Sequence, residues 1–203
     1  MRGRRGRSPH NLRVTATFDR LLTARLVLRR FTPADARRFA AYRSLPEVAR
    51  YQSWEAPYSI ERAHDFISWM ASHDPDEAGD WYQLAVATRE DPATLIGDCA
   101  FQSRAAEPAV VDIGYTFDPA FQGRGYATEA VRELVRYLFE DLGKHKLAAD
   151  CDTRNDRSWR LLERLDFRRE GELREAFRDG DGWGSAYLYG LLADEWRARG
   201  AAG

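Results

Sequence analysis

One stretch constrains the fold of this chain more than any other: Val110 to Leu142, V-V-D-I-G-Y-T-F-D-P-A-F-Q-G-R-G-Y-A-T-E-A-V-R-E-L-V-R-Y-L-F-E-D-L. The β-branched and aromatic run Val110 to Phe117 reads as a strand, and Asp118-Pro119 turns it. A loop then ends in Gln122-Gly123-Arg124-Gly125. Behind it, Ala127, Ala130, Val131, Leu134, Val135, Leu138, Phe139 and Leu142 recur at i, i+3, i+4, the period of a helix with one apolar face. A strand therefore passes through a glycine loop into a helix start. The first N–H groups of a helix have no partner within it, and the dipole there favours negative charge. Glycines allow a phosphate to approach the backbone. The stretch predicts a site for a phosphorylated ligand.

Composition sets the frame. A chain of 203 residues, 44% hydrophobic and 12% aromatic, suits one domain with a filled core. No apolar run approaches the roughly 18 residues that would span a bilayer. The basic start is followed by no apolar signal region, so the reading is a cytoplasmic protein with no membrane association. Cys99 and Cys151 sit in strand-like runs and read as buried thiols. No Cys/His spacing suggests a metal site. Residues 1–20 read as a basic tail and residues 21–203 as the domain. Arg2, Arg4, Arg5, Arg7 and Arg13 stand in the first thirteen residues without an acid, leaving 26 basic against 32 acidic residues beyond them. No basic stripe with interleaved aromatics follows, which argues against a nucleic-acid partner.

In chain order, Thr23 to Phe31 reads as a strand, and Thr32-Pro33 opens a helix with Thr32 as its cap. Ser59 caps a second helix bearing Ala63, Phe66, Ile67 and Met70. Trp81–Thr88, Thr94–Phe101 and Val110–Phe117 follow as three antiparallel strands, because their links are too short for parallel crossovers. Gly143 stops the central helix, and Lys146–Cys151 lies parallel to the strand before it by the right-handed crossover. A helix from about Asp156 to Leu165 and two strands around Asp179-Gly180-Asp181-Gly182 complete the domain before a short C-terminal helix. The fold class is α/β, with a mixed, mostly antiparallel sheet flanked by helices.

Taken alone, Gly123 and Gly125 serve equally as a tight turn. A dinucleotide fingerprint, with Asp150 as ribose ligand, fits worse: the third glycine is Thr128, five residues separate strand and glycines, and the preceding strands form a meander. No Gly-Lys-Ser/Thr occurs, so the P-loop is absent.

The stretch also resembles a known family. Gln122-x-x-Gly125-x-Ala127 after I-G-Y-T-F is similar to the acyl-coenzyme A signature of the GNAT N-acetyltransferases. T-A-R-L-V-L-R, L-I-G-D, G-R-G-Y-A-T-E-A and N-D-R-S-W-R-L-L-E-R-L-D-F stand in the family's order over residues 23–192, most like the ribosomal-protein N-terminal alanine acetyltransferases. The resemblance implies a sheet whose strands splay apart, with acetyl-CoA as cosubstrate and no metal. It implies a pyrophosphate held by Gln122, Gly123, Arg124, Gly125, Tyr126, Ala127 and Thr128. It implies a pantetheine arm added along Tyr115, Thr116 and Phe117, with the Phe117 amide polarising the thioester carbonyl. Asn155 is by composition a helix cap; the resemblance adds a pantetheine contact. Ser158 stands where the subgroup has an acid for the departing thiolate, while the tyrosine that other members carry is Leu162 here. The subgroup's base position is Phe177, and its aspartate position is Ser185, which leaves Glu175 as the nearby carboxylate. Tyr51, Trp54 and Tyr58 lie in the loop that faces the acceptor in the family; packing against the second helix accounts for each equally well. Glu129 and Glu133 read as helix-surface or first-turn charges. The expected activity is acetyl transfer to a primary amine, a protein N-terminus or a small molecule, by a monomer or homodimer. The competing expectation is a non-catalytic coenzyme-binding module.

Overall fold

The computed structural model describes residues 18–73, 75 and 79–200. Most of the expected basic tail lies outside those residues. Its last three residues do not: Phe18 is buried edge-on against Tyr137, and Arg20 opens the first strand.

Eight strands form one sheet: β1 (Arg20–Leu22), β2 (Leu26–Arg29), β3 (Tyr82–Thr88), β4 (Leu95–Arg104), β5 (Glu107–Phe117), β6 (Lys146–Asp152), β7 (Arg168–Asp179) and β8 (Gly182–Leu192). Their order is β1-β2-β3-β4-β5-β6-β8-β7, and only β5 and β6 run parallel. The expected single strand Thr23–Phe31 is instead the second arm of a hairpin. Thr23 makes the bend, with its amide bonded to the Leu26 carbonyl and its hydroxyl accepting from the Leu26 amide at 2.8 Å.

The helices are α1 (Ala36–Arg43), α2 (Pro46–Ala49), α3 (Ile60–Ala71), α4 (Tyr126–Arg136), α5 (Asp156–Arg164) and α6 (Ala193–Gly200). Thr32 is the expected cap: it stands before the turn Pro33–Asp35 that leads into α1, with Pro33 at the first position and a capping box closed with Asp35. The Asp35 carboxylate accepts from the Thr32 amide and also takes a two-pronged bond from Arg29 at 2.8 and 2.9 Å. Ser59 behaves as expected and accepts from the Arg62 amide. Pro46 both ends α1 and starts α2, since its ring suits a first helical position.

The central helix places Ala130, Val131, Leu134, Val135, Leu138 and Phe139 in the core as its period predicts. Full burial of each leucine there is worth about 1.5–3 kcal/mol. Its last turn widens over Tyr137–Asp141 before Gly143, at φ +65, stops it. The sheet's two faces are assigned by their contacts. Phe101 meets Tyr137 beyond the end of α4, so odd positions of β4 face that helix. Asp98 meets Tyr42 and Arg43 of α1, so even positions face the other way.

Candidate active site

The decisive local feature is a gap between β5 and β6. The two strands pair only at Val110 with Lys146, Val111 with Leu147 and Asp112 with Ala148. Beyond Asp112, β5 continues on β4 alone, and β6 continues on β8 alone. The Asp118 amide donates to the Ile96 carbonyl at 3.0 Å, and the Ala109 carbonyl accepts from His145. These two bonds set the alternation of the ladder: even residues of β5 bond β4, odd residues turn toward β6. The last pair, Asp112 with Ala148, takes up the Ile113 amide, so the amides of Tyr115 and Phe117 point into the gap. Of the expected rail, Thr116 differs: it pairs with Asp98, and its amide belongs to the β4 ladder. Gly97 makes the end of this ladder possible, since a Cβ there would lie 2.6 Å from the Thr116 carbonyl oxygen and 2.7 Å from the Phe117 ring.

The glycine loop caps the open end of the gap. Gly123 (φ +74) and Gly125 (φ +78) are both left-handed, a backbone that other residues adopt at a cost of about 1–2 kcal/mol. Nothing lies within 4 Å of a Cβ built on Gly123. Gln122 through Gly125 are exposed, and α4 begins at Tyr126, so the amides of Tyr126, Ala127 and Thr128 open the helix. The turn suits a pyrophosphate: free donors, a dipole of the right sign, open space over Gly123 and the Arg25 guanidinium 3.4 Å from where a Cβ on Gly125 would stand.

Side chains fix that loop from both flanks. Gln122 donates to the Phe117 carbonyl at 2.9 Å and accepts from Arg157 of α5 at 2.8 Å. On the other flank, Arg25 donates to the Arg124 carbonyl at 3.0 Å and to Glu129 at 2.6 Å. Glu129 also accepts from the Thr23 hydroxyl at 2.5 Å and the Arg25 amide at 2.8 Å. Glu129 is the first-turn charge the pattern predicts, and it does more than face the helix dipole. It ties the β1–β2 bend to the first turn of α4, and burial would raise its pKa but for the bonds from Thr23 and Arg25, which hold it low.

A hydroxyl cluster lines the helix side of the gap. Asn155 caps α5 by accepting from the Ser158 amide at 3.3 Å. The Ser158 hydroxyl lies 2.9 Å from the Tyr115 hydroxyl, which also donates to the Ser158 carbonyl at 3.1 Å. Burial, opposed by the Ser158 bond, holds the Tyr115 phenol well above its ordinary value. Burial likewise pushes the Cys151 thiol up to about 11, so it stays protonated at neutral pH.

Residues 25–168 match the acetyltransferase (GNAT) domain model. The chain belongs to the GNAT N-acetyltransferase family. An uncharacterised N-acetyltransferase of Bacillus subtilis is 35% identical over 158 residues, covering 78% of this chain and 88% of its own. The uS5 ribosomal-protein alanine N-acetyltransferase of Escherichia coli is 30% identical over 84 residues, 41% of this chain and 43% of its own. A GNAT acetyltransferase structure from Bacillus anthracis superposes with a TM-score of 0.77 at 26% identity, covering 87% of this chain and 99% of that one. The GNAT fold, with its splayed strands, is the fold expected from the sequence.

The acceptor face of this GNAT domain departs more from expectation. Tyr58 is buried: it meets Phe39 and Trp54 edge-on and offers its amide to Ser44. Trp54 is half-buried, with its indole N–H bonded to the Arg43 carbonyl at 3.0 Å. Both rings pack around the Arg43 guanidinium, which lies 3.9 Å from the Trp54 centroid and 4.1 Å from that of Phe39. Packing, the bland alternative, describes these two. Tyr51 alone keeps its hydroxyl at the surface, 3.5 Å from the Arg154 carbonyl. Arg154 in turn bonds Asp152 and, at 2.6 Å, Asp179 of the β7–β8 turn. Glu175 sits exposed in a bulge of the outermost strand at φ +50, its amide bonded to the Ser185 hydroxyl. Glu175 lies on β7, and β8 and β6 stand between it and the gap.

One buried cluster escaped the sequence. Asp98 accepts from Tyr42 through a short bond and from Arg43 at 3.1 Å, and Arg43 also reaches Gln83 at 2.9 Å. Burial raises the Asp98 carboxyl above its ordinary value, with Arg43 opposing. The Asp98 of L-I-G-D was the available signal, because a carboxylate inside an apolar strand needs a partner. Among the described residues no group of three or more His, Cys, Asp and Glu could hold a metal ion, and no helix is long and apolar enough to cross a membrane.

Proposed function

We propose that this GNAT domain transfers an acetyl group from acetyl-CoA to a primary amine, either a protein N-terminus or a small-molecule amine. The observation that carries the reading is the gap itself: two amides beyond the last β5–β6 pair, of Tyr115 and Phe117, leading to an open left-handed glycine loop. In this reading Gln122 to Thr128 receive the pyrophosphate. The pantetheine adds to β5 as a further strand, and an amide near Phe117 polarises the thioester carbonyl. Ser158 and Asn155 stand on the opposite wall, where Ser158 supplies a hydroxyl to the departing thiolate. Direct attack within a ternary complex fits a gap open to two faces of one sheet. Phe177 and Ser185 occupy the positions of the subgroup's carboxylates, which favours an acceptor other than the alanine terminus of a ribosomal protein.

The test is acetyl-CoA turnover across amine-bearing small molecules and N-terminal peptides, read by release of free thiol. Turnover of at least one amine is the expected result. Tight coenzyme binding with no turnover on any amine would instead identify a binding module.

A further inference from the structure

Acetyl transfer to an ammonium needs a base, and neither Phe177 nor the remote Glu175 supplies one. The sheet face that carries Asp98 and Thr116 carries another carboxylate. Asp112 pairs with Ala148 as the last register between β5 and β6. Two residues further on each parallel strand bring Asp150 level with Gly114, across the mouth of the gap and on the same face. The gap amide beside Gly114 is that of Tyr115, the one nearest the closed end, which is where the thioester end of the arm would lie. Opposite Asp150, the sheet is bare: Gly114 has no side chain, and its β4 partner is Ala100. Over Gly114 lies the ring of Trp81, 3.8 Å from where a Cβ would be, and Trp81 remains 40% exposed.

Asp150 also borders a cleft of about 220 Å³. The other charged groups of that cleft are Arg104 and Asp112, Lys146 and Glu170. They satisfy one another. Arg104 makes a two-pronged bond to Asp112 at 2.8 and 2.6 Å, and Lys146 bonds both oxygens of Glu170 at 2.8 and 2.7 Å. Both cations are thereby engaged with other carboxylates. Asp150 stands exposed at the edge of the cleft; partial burial there, and then the charge of Asp112, raise its carboxyl above the ordinary value. A carboxylate raised in this way is a better proton acceptor at neutral pH than one pinned by arginine.

Resting on the acetyl-transfer reading above, we propose that Asp150 is the general base and that the amine approaches over Gly114, between the Trp81 ring and Asp150. The Trp81 face suits an ammonium group before it is deprotonated. One proton leaves the ammonium for Asp150 and passes from there to solvent in the cleft. The freed nitrogen lone pair forms the C–N bond to the thioester carbon. As the C–S bond breaks, the second proton lost by nitrogen ends on the departing thiolate. The products are the acetylated amine and the free thiol of the coenzyme.

The experiment compares wild type, Asp150→Asn and Asp150→Glu on the best amine of the panel, with acetyl-CoA binding measured by calorimetry. Asp150→Asn is expected to lower kcat/KM by about a hundredfold to ten-thousandfold, the usual worth of a positioned base. It leaves coenzyme affinity unchanged, and Asp150→Glu recovers part of the rate. In wild type, kcat/KM falls as pH drops through the Asp150 pKa; the Asn variant loses that acid limb. Unchanged turnover in Asp150→Asn overturns the assignment, as does a raised KM with unchanged kcat and pH profile. A wild type silent on every amine would instead sink the acetyl-transfer reading, so the two failures are distinguishable.

Discussion

The two sides of the β5–β6 gap are built in different currencies. The side proposed for the coenzyme is backbone: unpaired amides on β5, two left-handed glycines and the start of α4. The side proposed for the acceptor is side chain: Arg43 enclosed by Trp54, Phe39 and Tyr58, the buried Asp98 beneath it, and the Tyr51–Arg154–Asp179 bridge at the rim. A backbone site requires a fixed local conformation and tolerates varied neighbours. A side-chain site requires particular partners from distant parts of the chain, and it can be rebuilt for another acceptor without disturbing the first. The difference accounts for a family that shares one cosubstrate and many amines.

If that division is real, lesions on the two sides fail differently. The largest expected effect is Asp98→Ala, which strands the Arg43 guanidinium at 4% exposure with its Nε already unpartnered. Removing one partner of such a buried pair costs about 3–5 kcal/mol. Thermal unfolding shows this as a large fall in Tm, while the fraction still folded binds coenzyme with wild-type affinity. A large loss of coenzyme affinity in the folded fraction would break the comparison. A smaller effect on stability and a selective one on binding is expected for Gly125→Val. The left-handed φ costs a branched residue about 1–2 kcal/mol, and the new side chain stands in the phosphate path, so affinity weakens by roughly tenfold or more. Calorimetry showing unchanged affinity would remove the phosphate role from the loop.

The same contrast explains what could be read from residues alone. The strand-loop-helix unit, the crossover strand and the Gly143 stop were legible because each rests on local period and local turn chemistry. The left-handed glycine turn proposed to hold the pyrophosphate was legible for the same reason. The Arg25–Glu129 tie was not, because its partners are 104 residues apart and a first-turn glutamate has a sufficient local explanation. Arg43 and Asp98, 55 residues apart, were hidden likewise. Tyr58 stayed open between an acceptor contact and packing, because aromatic richness does not say which way a loop folds; the Ser44–Tyr58 bonds and the Phe39 ring turn it inward. The Thr32-Pro33 cap was legible because it is local; the Arg29 bond that fixes Asp35 within it was not.

The central claim is that β5 offers its odd amides to an incoming arm. Amide hydrogen exchange, followed residue by residue with and without acetyl-CoA, tests it most directly. The account predicts slowed exchange at Tyr115 and Phe117, and at Tyr126 to Thr128, when acetyl-CoA is bound, with Thr116 slow in both states through its pairing with Asp98. Binding that leaves Tyr115 and Phe117 unprotected while shielding another surface would contradict it.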